Sequence, residues 1–420
     1  MSLFFAPSRK LAAERLDRGG PRIYDPRERM ALGALDLMLR GVSRVTGLRP
    51  RRDPVATPRA NRVQRVNRVN RVKSILALRL DRLGDLLMTL PALQSLRAAA
   101  PDAHLELAVG SWNEAVARRL PFVDGVRIVD APWASWGKKV RFADARRAMR
   151  PDGVDAPDLV IDFQGDVRVS ILMALTGATL RAGYGETGGG YLLTHPGAWD
   201  ETKSWYWQNL ELVKTLYPDA EDITRPYNFV TAEDRKNAAA HLDGATRPRI
   251  GIHPSAGRAL KQWEEKKFTA LIDRLSETAS VLVTGASGDK ALVERIVAGT
   301  HSSPKTLLGT DLATFAAVVE SFDVFVSGDT GPMHLAHAVS TPNVAIFGPS
   351  DPVRYGPSRE DAPRFRTVVR TPVYCSPCNM IRRPPKECMT QEAPDCIAGV
   401  SVDQVLDAIE RTLSQASSSD

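Results

Sequence analysis

The chain has 420 residues, 43% of them hydrophobic, and a formal charge of +7 at neutral pH. That length predicts two or three domains with full cores, and no apolar run reaches the roughly 18–20 residues that a membrane span needs. The start of the chain shows none of the regions of a signal peptide, so a cytoplasmic protein is expected.

The charge is placed unevenly. Residues 1–73 hold 18 Lys or Arg against 6 Asp or Glu, which leaves −5 on the remainder. The pattern is a basic arm (1–72) on a mildly acidic body. Within the arm, Leu32, Leu35, Leu39 and Val42 fall on one helical stripe, and Arg29, Asp36, Arg40 and Ser43 on another. A basic amphipathic helix suits an anionic membrane surface, though docking onto its own protein would use the same stripe. The repeat NRVQRVNRVNRV, Asn61–Val72, has a three-residue period that fits neither helix nor strand, so a charged linker is expected. Without interleaved aromatic residues, it is not expected to bind nucleic acid.

From Ser74 the texture changes. SILALRL, HLELAVG, GVRIVD and DLVIDFQ read as short strands with helical stretches between most of them. The alternation resumes with RIGIHP, SVLVTGA, DVFVSGD and NVAIFG. Strand-then-helix order predicts parallel sheets with right-handed crossovers. The reading is an α/β chain with two Rossmann-like domains facing a cleft, 73–228 and 229–400, followed by a C-terminal helix and tail, 401–420. Ligands of such sheets sit beyond the carboxyl ends of the strands.

The turns at those ends carry the chemistry-bearing residues. In LDRLGDLLMTLPAL, Gly84-Asp85 puts a carboxylate where the chain leaves a strand, either to start a helix or to act as a base. HPSAGRALKQW offers Ser255 as a hydroxyl donor and Lys261 as a cation that could neutralise a departing diphosphate. In SGDTGPMHLAHA, Asp329 or Thr330 is placed to cap a helix, Gly331 and Pro332 open it, and His334 points back to the same spot. A helix start of this kind favours phosphate. VLVTGASGD resembles the dinucleotide turn of short-chain dehydrogenases. It lies deep in the chain, lacks the third glycine, and has no Tyr-x-x-x-Lys pair to accompany it.

Four stretches, RLDRLGDLLMTLPAL, DLVIDFQGDVRVSILMALTGATLRAGYG, GIHPSAGRALKQWEEKKFTALIDRL and FVSGDTGPMHLAHAVSTPNVAIFGPSDP, together resemble glycosyltransferase family 9, the ADP-heptose:lipopolysaccharide heptosyltransferases. The resemblance implies a GT-B fold and inverting, metal-independent transfer. The donor would be a nucleotide-sugar, ADP-heptose, and the acceptor a lipopolysaccharide-core or related glycan or glycolipid. It makes Asp85 the base and places Lys261, Ser255, Asp329, Thr330, Gly331 and His334 at the donor phosphates. Gly84, Gln164 and Arg168 fall on the acceptor side. No catalytic cofactor is implied. The family's KxW motif is usually followed by proline, where this chain has Glu264, and residues 1–72 lie outside the family pattern.

All four cysteines cluster as Cys375-x2-Cys378-x9-Cys388-x7-Cys396. The tight first pair and the spread suit four thiolates around one structural zinc or iron; a set of reduced thiols is the alternative. Two rivals from other classes stand beside the transferase: a nicotinamide-linked oxidoreductase using TGASGD, and a non-catalytic protein binding a glycan or lipid surface.

Overall fold

The computed structural model describes residues 30–38, 41, 69, 71–135, 139–224, 227–356, 367–378, 388 and 394–417. The chain divides after Thr224 into two compact units.

The first unit is built on β1 (Ser74–Arg79), β2 (His104–Val109), β3 (Gly125–Ile128), β4 (Leu159–Asp162), β5 (Leu180–Tyr184) and β6 (His195–Gly197). They form one sheet in the order β3-β2-β1-β4-β5-β6, every pair parallel. Strands such as SILALR are apolar almost throughout because helices cover both faces of the sheet. Leu76, Leu78 and Val160 of the sheet pack with Val169, Leu172 and Met173 of a following helix.

The second unit repeats the plan with β7 (Arg249–His253), β8 (Ser280–Gly285), β9 (Lys305–Leu308), β10 (Val324–Gly328), β11 (Asn343–Ile346) and β12 (Thr367–Val369). Its order is β12-β11-β10-β7-β8-β9, again all parallel. In both sheets the chain builds outward in one direction, then returns to the centre and builds the other way. The switch points lie between β1 and β4 and between β7 and β10.

The sequence reading found the central strands and missed β5, β6, β9 and β12. Arg181 and Gly183 interrupt the apolar pattern of β5, Pro196 sits in the three-residue edge strand β6, and β9 is largely exposed. Such strands are held by backbone pairing and not by an apolar run of their own.

The helices needed below are α1 (30–38), α2 (Leu83–Leu87), α3 (Leu90–Ala99), α4 (Val167–Leu175), α5 (Trp205–Leu216), α6 (Glu265–Ser276), α7 (Gly331–Ala338) and α8 (Val402–Ser417). Val405, Ala408 and Ile409 of α8 pack into the second unit's core with Ile250, Val326 and Phe268. Trp263 locks that arrangement. Its ring meets Phe268 edge-on at 4.8 Å, and its Nε1 donates to Val400 O at 3.0 Å. Glu264, where the family pattern has proline, sits just before α6 with φ −62°. That is the angle a proline ring would impose, so the substitution leaves the helix entry unchanged.

The arm's α1 differs from the sequence reading at one position. Asp36, assigned to the polar stripe, is buried and accepts a hydrogen bond from Gly189 N at 3.0 Å. Gly189 has φ +71°, and a Cβ there would lie 2.6 Å from Ser170 Cβ, so only glycine leaves this N–H free to be reached. Leu32 and Leu35 are half-buried, whereas Met30, Leu37 and Met38 are exposed. Arg29, Leu39, Arg40, Val42 and Ser43, and most of the Asn61–Val72 repeat, lie outside the described residues. Among the described residues, no helix is long and apolar enough to cross a membrane.

Replacing Trp263 with alanine removes both the ring packing and the bond to Val400. Denaturant unfolding of that variant is expected to show a loss of about 3–5 kcal/mol; an unchanged midpoint would contradict the role given to Trp263.

Candidate active site

The first switch point gathers a buried arginine and several carboxylates. Arg79 ends β1 with its side chain fully buried. Its Nη1 donates to Phe163 O, just past β4. Its Nε lies 3.0 Å from Asp81 Oδ1, its Nη2 lies 3.3 Å from Asp85 Oδ1, and the guanidinium stacks over Trp205 at 5.2 Å. Trp205 belongs to an edge-to-face cluster with Tyr184 and Trp199.

Asp85 is the third residue of α2 and not its cap. Its Oδ2 accepts from Arg82 N at 3.3 Å, and its side chain keeps 28% exposure. Gly84 beside it is buried. Asp81 is held by Arg79 and offers its carbonyl to Trp112 Nε1 at 2.6 Å. Burial pushes the Asp81 carboxyl above its usual range, against the pull of Arg79 and reinforced by Asp85.

Asp162 closes β4 and turns the chain. Its two oxygens accept from Gln164 N at 2.8 Å and Gly165 N at 3.1 Å. Burial pushes this carboxyl up to about 7, opposed by those two hydrogen bonds. Gln164 Oε1 is buried without a hydrogen-bond partner, which leaves an acceptor at the mouth of the turn. Arg168 is already engaged: it pairs with Asp166 at 2.6 Å and lies 4.7 Å over the Trp133 ring. Its guanidinium is therefore a fixed wall of the turn.

The second switch point lies beyond β7 and β10, which pair in register with His253 opposite Ser327. Ser255, two residues past β7, bonds through its Oγ to His253 Nε2 at 3.0 Å. His253 Nδ1 in turn meets Thr284 Oγ1 at 3.0 Å. Burial pushes the His253 imidazole down to about 4, so at neutral pH it is uncharged. The neutral ring fixes which way the Ser255 hydroxyl turns.

Lys261 reaches across to Asp329 and forms an ion pair with its Oδ2. Lys261 and Asp329 thus meet as the sequence reading grouped them. Thr330 precedes α7 with an extended backbone, yet its hydroxyl donates to Gly328 O at 3.4 Å and does not cap the helix. Gly331 opens α7 and Pro332 follows, while His334 is buried one turn in. The start of α7 therefore has no side-chain cap, and its dipole faces the end occupied by Lys261.

The TGASGD turn is arranged differently. Asp289 accepts from Ala286 N at 2.7 Å and occupies the start of the next helix. A pyrophosphate there would meet a carboxylate, which disfavours the dinucleotide reading.

The four-thiolate metal site expected from the cysteine spacing finds no support. Among the described residues, no group of three or more His, Cys, Asp or Glu side chains could hold a metal ion. The cysteines do lie near one another. Burial and the three neighbouring thiols push Cys396 up to about 12, and burial with Cys388 raises Cys375, so both are protonated at neutral pH.

Sequence reasoning missed Arg79, Asp81, Asp162, His253 and Thr284. A charged residue closing an apolar strand, as in SILALR and LVID, was the available signal for Arg79 and Asp162. Nothing in the sequence linked Thr284 to His253, because their contact depends on the pairing of β7 with β8.

Comparison with known proteins fits this geometry. The sequence model of glycosyltransferase family 9 (heptosyltransferase) matches residues 153–387. Lipopolysaccharide heptosyltransferase 3 of Escherichia coli K12 is 27% identical over 299 residues, covering 67% of this chain and 84% of its own. The structure of E. coli ADP-heptose lps heptosyltransferase II superposes with a TM-score of 0.65 at 19% identity, covering 82% of this chain and 99% of that one. E. coli heptosyltransferase WaaC with ADP gives 0.60 at 20% identity, covering 81% and 99%. Two Rossmann-type sheets in one chain, with these relatives, define a glycosyltransferase of GT-B fold. The chain belongs to glycosyltransferase family 9, the heptosyltransferase family.

The raised Asp162 has a measurable consequence. Its folded value near 7, against 3.8 when exposed, means that the folded protein retains a proton the unfolded chain releases. This group therefore costs stability as pH rises from about 4 to about 7, and adds no further cost above that. Comparing unfolding of the native protein and Asp162→Asn between pH 5 and pH 8 should show a shallower decline in the variant; equal slopes would remove Asp162 as the cause.

Proposed function

We propose that this enzyme transfers a heptose from ADP-heptose, with inversion, to a lipopolysaccharide-core or related glycan or glycolipid acceptor. The observation that carries this reading is the placement of Asp85. Its partly exposed carboxylate stands at the β1/β4 switch point, anchored through one oxygen by Arg79. In the proposed step, an Asp85 oxygen takes the proton of an acceptor hydroxyl. The acceptor oxygen, thus freed of its proton, attacks the anomeric carbon, and the bond from that carbon to the diphosphate breaks on the opposite face. ADP departs with the electron pair.

Support for a phosphate-binding role in the second unit comes from Lys261 and the start of α7. Lys261 is held at that end by Asp329, so an arriving diphosphate meets a cation already in place. Ser255, Thr330, Gly331 and His334 complete the proposed donor site. The reading gives neutralisation of the leaving group to Lys261 and the helix start, with no metal ion assigned to that task. ADP as the nucleotide is supported by the similar heptosyltransferase crystallised with it. Gly84 and the unpartnered Gln164 Oε1 are assigned to the acceptor.

The basic arm is assigned to an anionic membrane surface at the cytoplasmic face of the inner membrane. The exposed Met30, Leu37 and Met38 of α1 supply the apolar contact, and the +12 balance of residues 1–73 supplies the attraction.

Two measurements test this reading. Asp85→Ala is expected to lower heptose transfer by at least about a hundredfold while ADP affinity by calorimetry stays within twofold; full activity would refute the base. Leu37→Glu/Met38→Glu in the full chain should cut sedimentation with phosphatidylglycerol vesicles and leave transfer to a soluble acceptor unchanged. Undiminished sedimentation would exclude α1 as the contact.

A further inference from the structure

At the first switch point Arg79 stands against three structural elements, hydrogen-bonded to one of them and ion-paired with the other two. Nη1 holds the carbonyl of Phe163 at the end of β4, Nε faces Asp81 in the loop after β1, and Nη2 faces Asp85 on α2. Trp205 from α5 covers the face of the guanidinium at 5.2 Å. The side chain has no exposure at all, so its orientation is set by these contacts and not by solvent. A buried charge with this many partners needs a reason, because cation and carboxylates together cost desolvation that an apolar cluster would avoid.

We propose that Arg79 is the positioning residue of the transfer reaction: it clamps Asp85 Oδ1 and so presents the carboxylate to the acceptor hydroxyl in one orientation. The proposal rests on the assignment of Asp85 as base. Arg79 touches no substrate in this role. The fork geometry matters as much as the charge, since a planar guanidinium can address three elements at fixed angles and an ammonium cannot. Arg82 N holds Asp85 Oδ2 at 3.3 Å from the other side. The carboxylate therefore has a neighbour at each oxygen, the Arg79 cation at Oδ1 and the Arg82 N–H at Oδ2, while its side chain keeps 28% exposure. The titratable groups that act on Arg79 are Asp81 and Asp85, followed by Tyr184 and Asp162. Without the arginine, Asp85 would share the switch point with two other acidic groups and no buried cation.

The test compares the full-length enzyme with Arg79→Met, Arg79→Lys and Asp85→Ala, each checked by thermal unfolding. For Arg79→Met, kcat is expected to fall about a hundredfold with KM for donor and acceptor within about twofold, and the acid limb of the pH–rate profile to move up by about one pH unit. Arg79→Lys keeps the charge but loses the fork: kcat should fall about tenfold with the acid limb in place. If kcat survives in Arg79→Met, or falls equally at all pH values with no movement of the limb, Arg79 is only structural and the proposal fails. If Arg79→Met does not fold, Arg79→Lys decides alone: native kcat there overturns the proposal, and a tenfold loss with unchanged KM upholds it. The two assignments separate through Asp85→Ala. An inactive Asp85→Ala beside fully active Arg79 variants removes only the positioning role, whereas an active Asp85→Ala removes the base.

Discussion

The structure depends on one constraint, the side-by-side parallel pairing of β1 with β4 and of β7 with β10. At both places the chain has finished building its sheet in one direction and starts again in the other. The connections leaving the two central strands therefore run to opposite sides, and the space between them is not filled by a crossover. Polar side chains can collect there without breaking either core. Arg79, Asp81, Asp85 and Asp162 do so in the first unit, and Ser255, Lys261 and Asp329 in the second.

The two collections differ in electrostatic character. The first is a carboxylate set organised around one buried guanidinium, and Asp162 within it sits near neutrality on the pH scale. The second is a lysine held against an aspartate beside an uncapped helix start, with a neutral histidine turning a serine hydroxyl. A proton-accepting task suits the first, and a phosphate-binding task the second. That division is the chemical content of a sugar transfer, in which one partner must lose a proton while the other leaves as an anion.

The parallel α/β plan was legible because central strands of such sheets are apolar on both faces, and SILALR, LVID, RIGIH and VFVSG are short enough and apolar enough to be seen. Two of the edge strands were not, since β6 and β12 have three residues each. The candidate site residues at the turns could be picked out by position, because Asp85 and Asp329 each follow a glycine in the turn beyond such a strand. What the sequence concealed was everything that depends on pairing between distant segments. Arg79 and Phe163 meet across 84 positions, and His253 and Thr284 across 31. The arm showed the same limit: helical periodicity put Asp36 on a solvent face, and a glycine turn 153 positions away gave it a buried partner. In the cysteine cluster, spacing suggested a metal cage that the described side chains do not form.

The central claim is that donor phosphates are held at the β7/β10 switch point. A crystal structure of the full-length enzyme grown with ADP tests it most directly. The account predicts the diphosphate within hydrogen-bond reach of Lys261 and the backbone at Thr330-Gly331. A diphosphate bound instead at the TGASGD turn, or on the first unit beside Asp85, would contradict it.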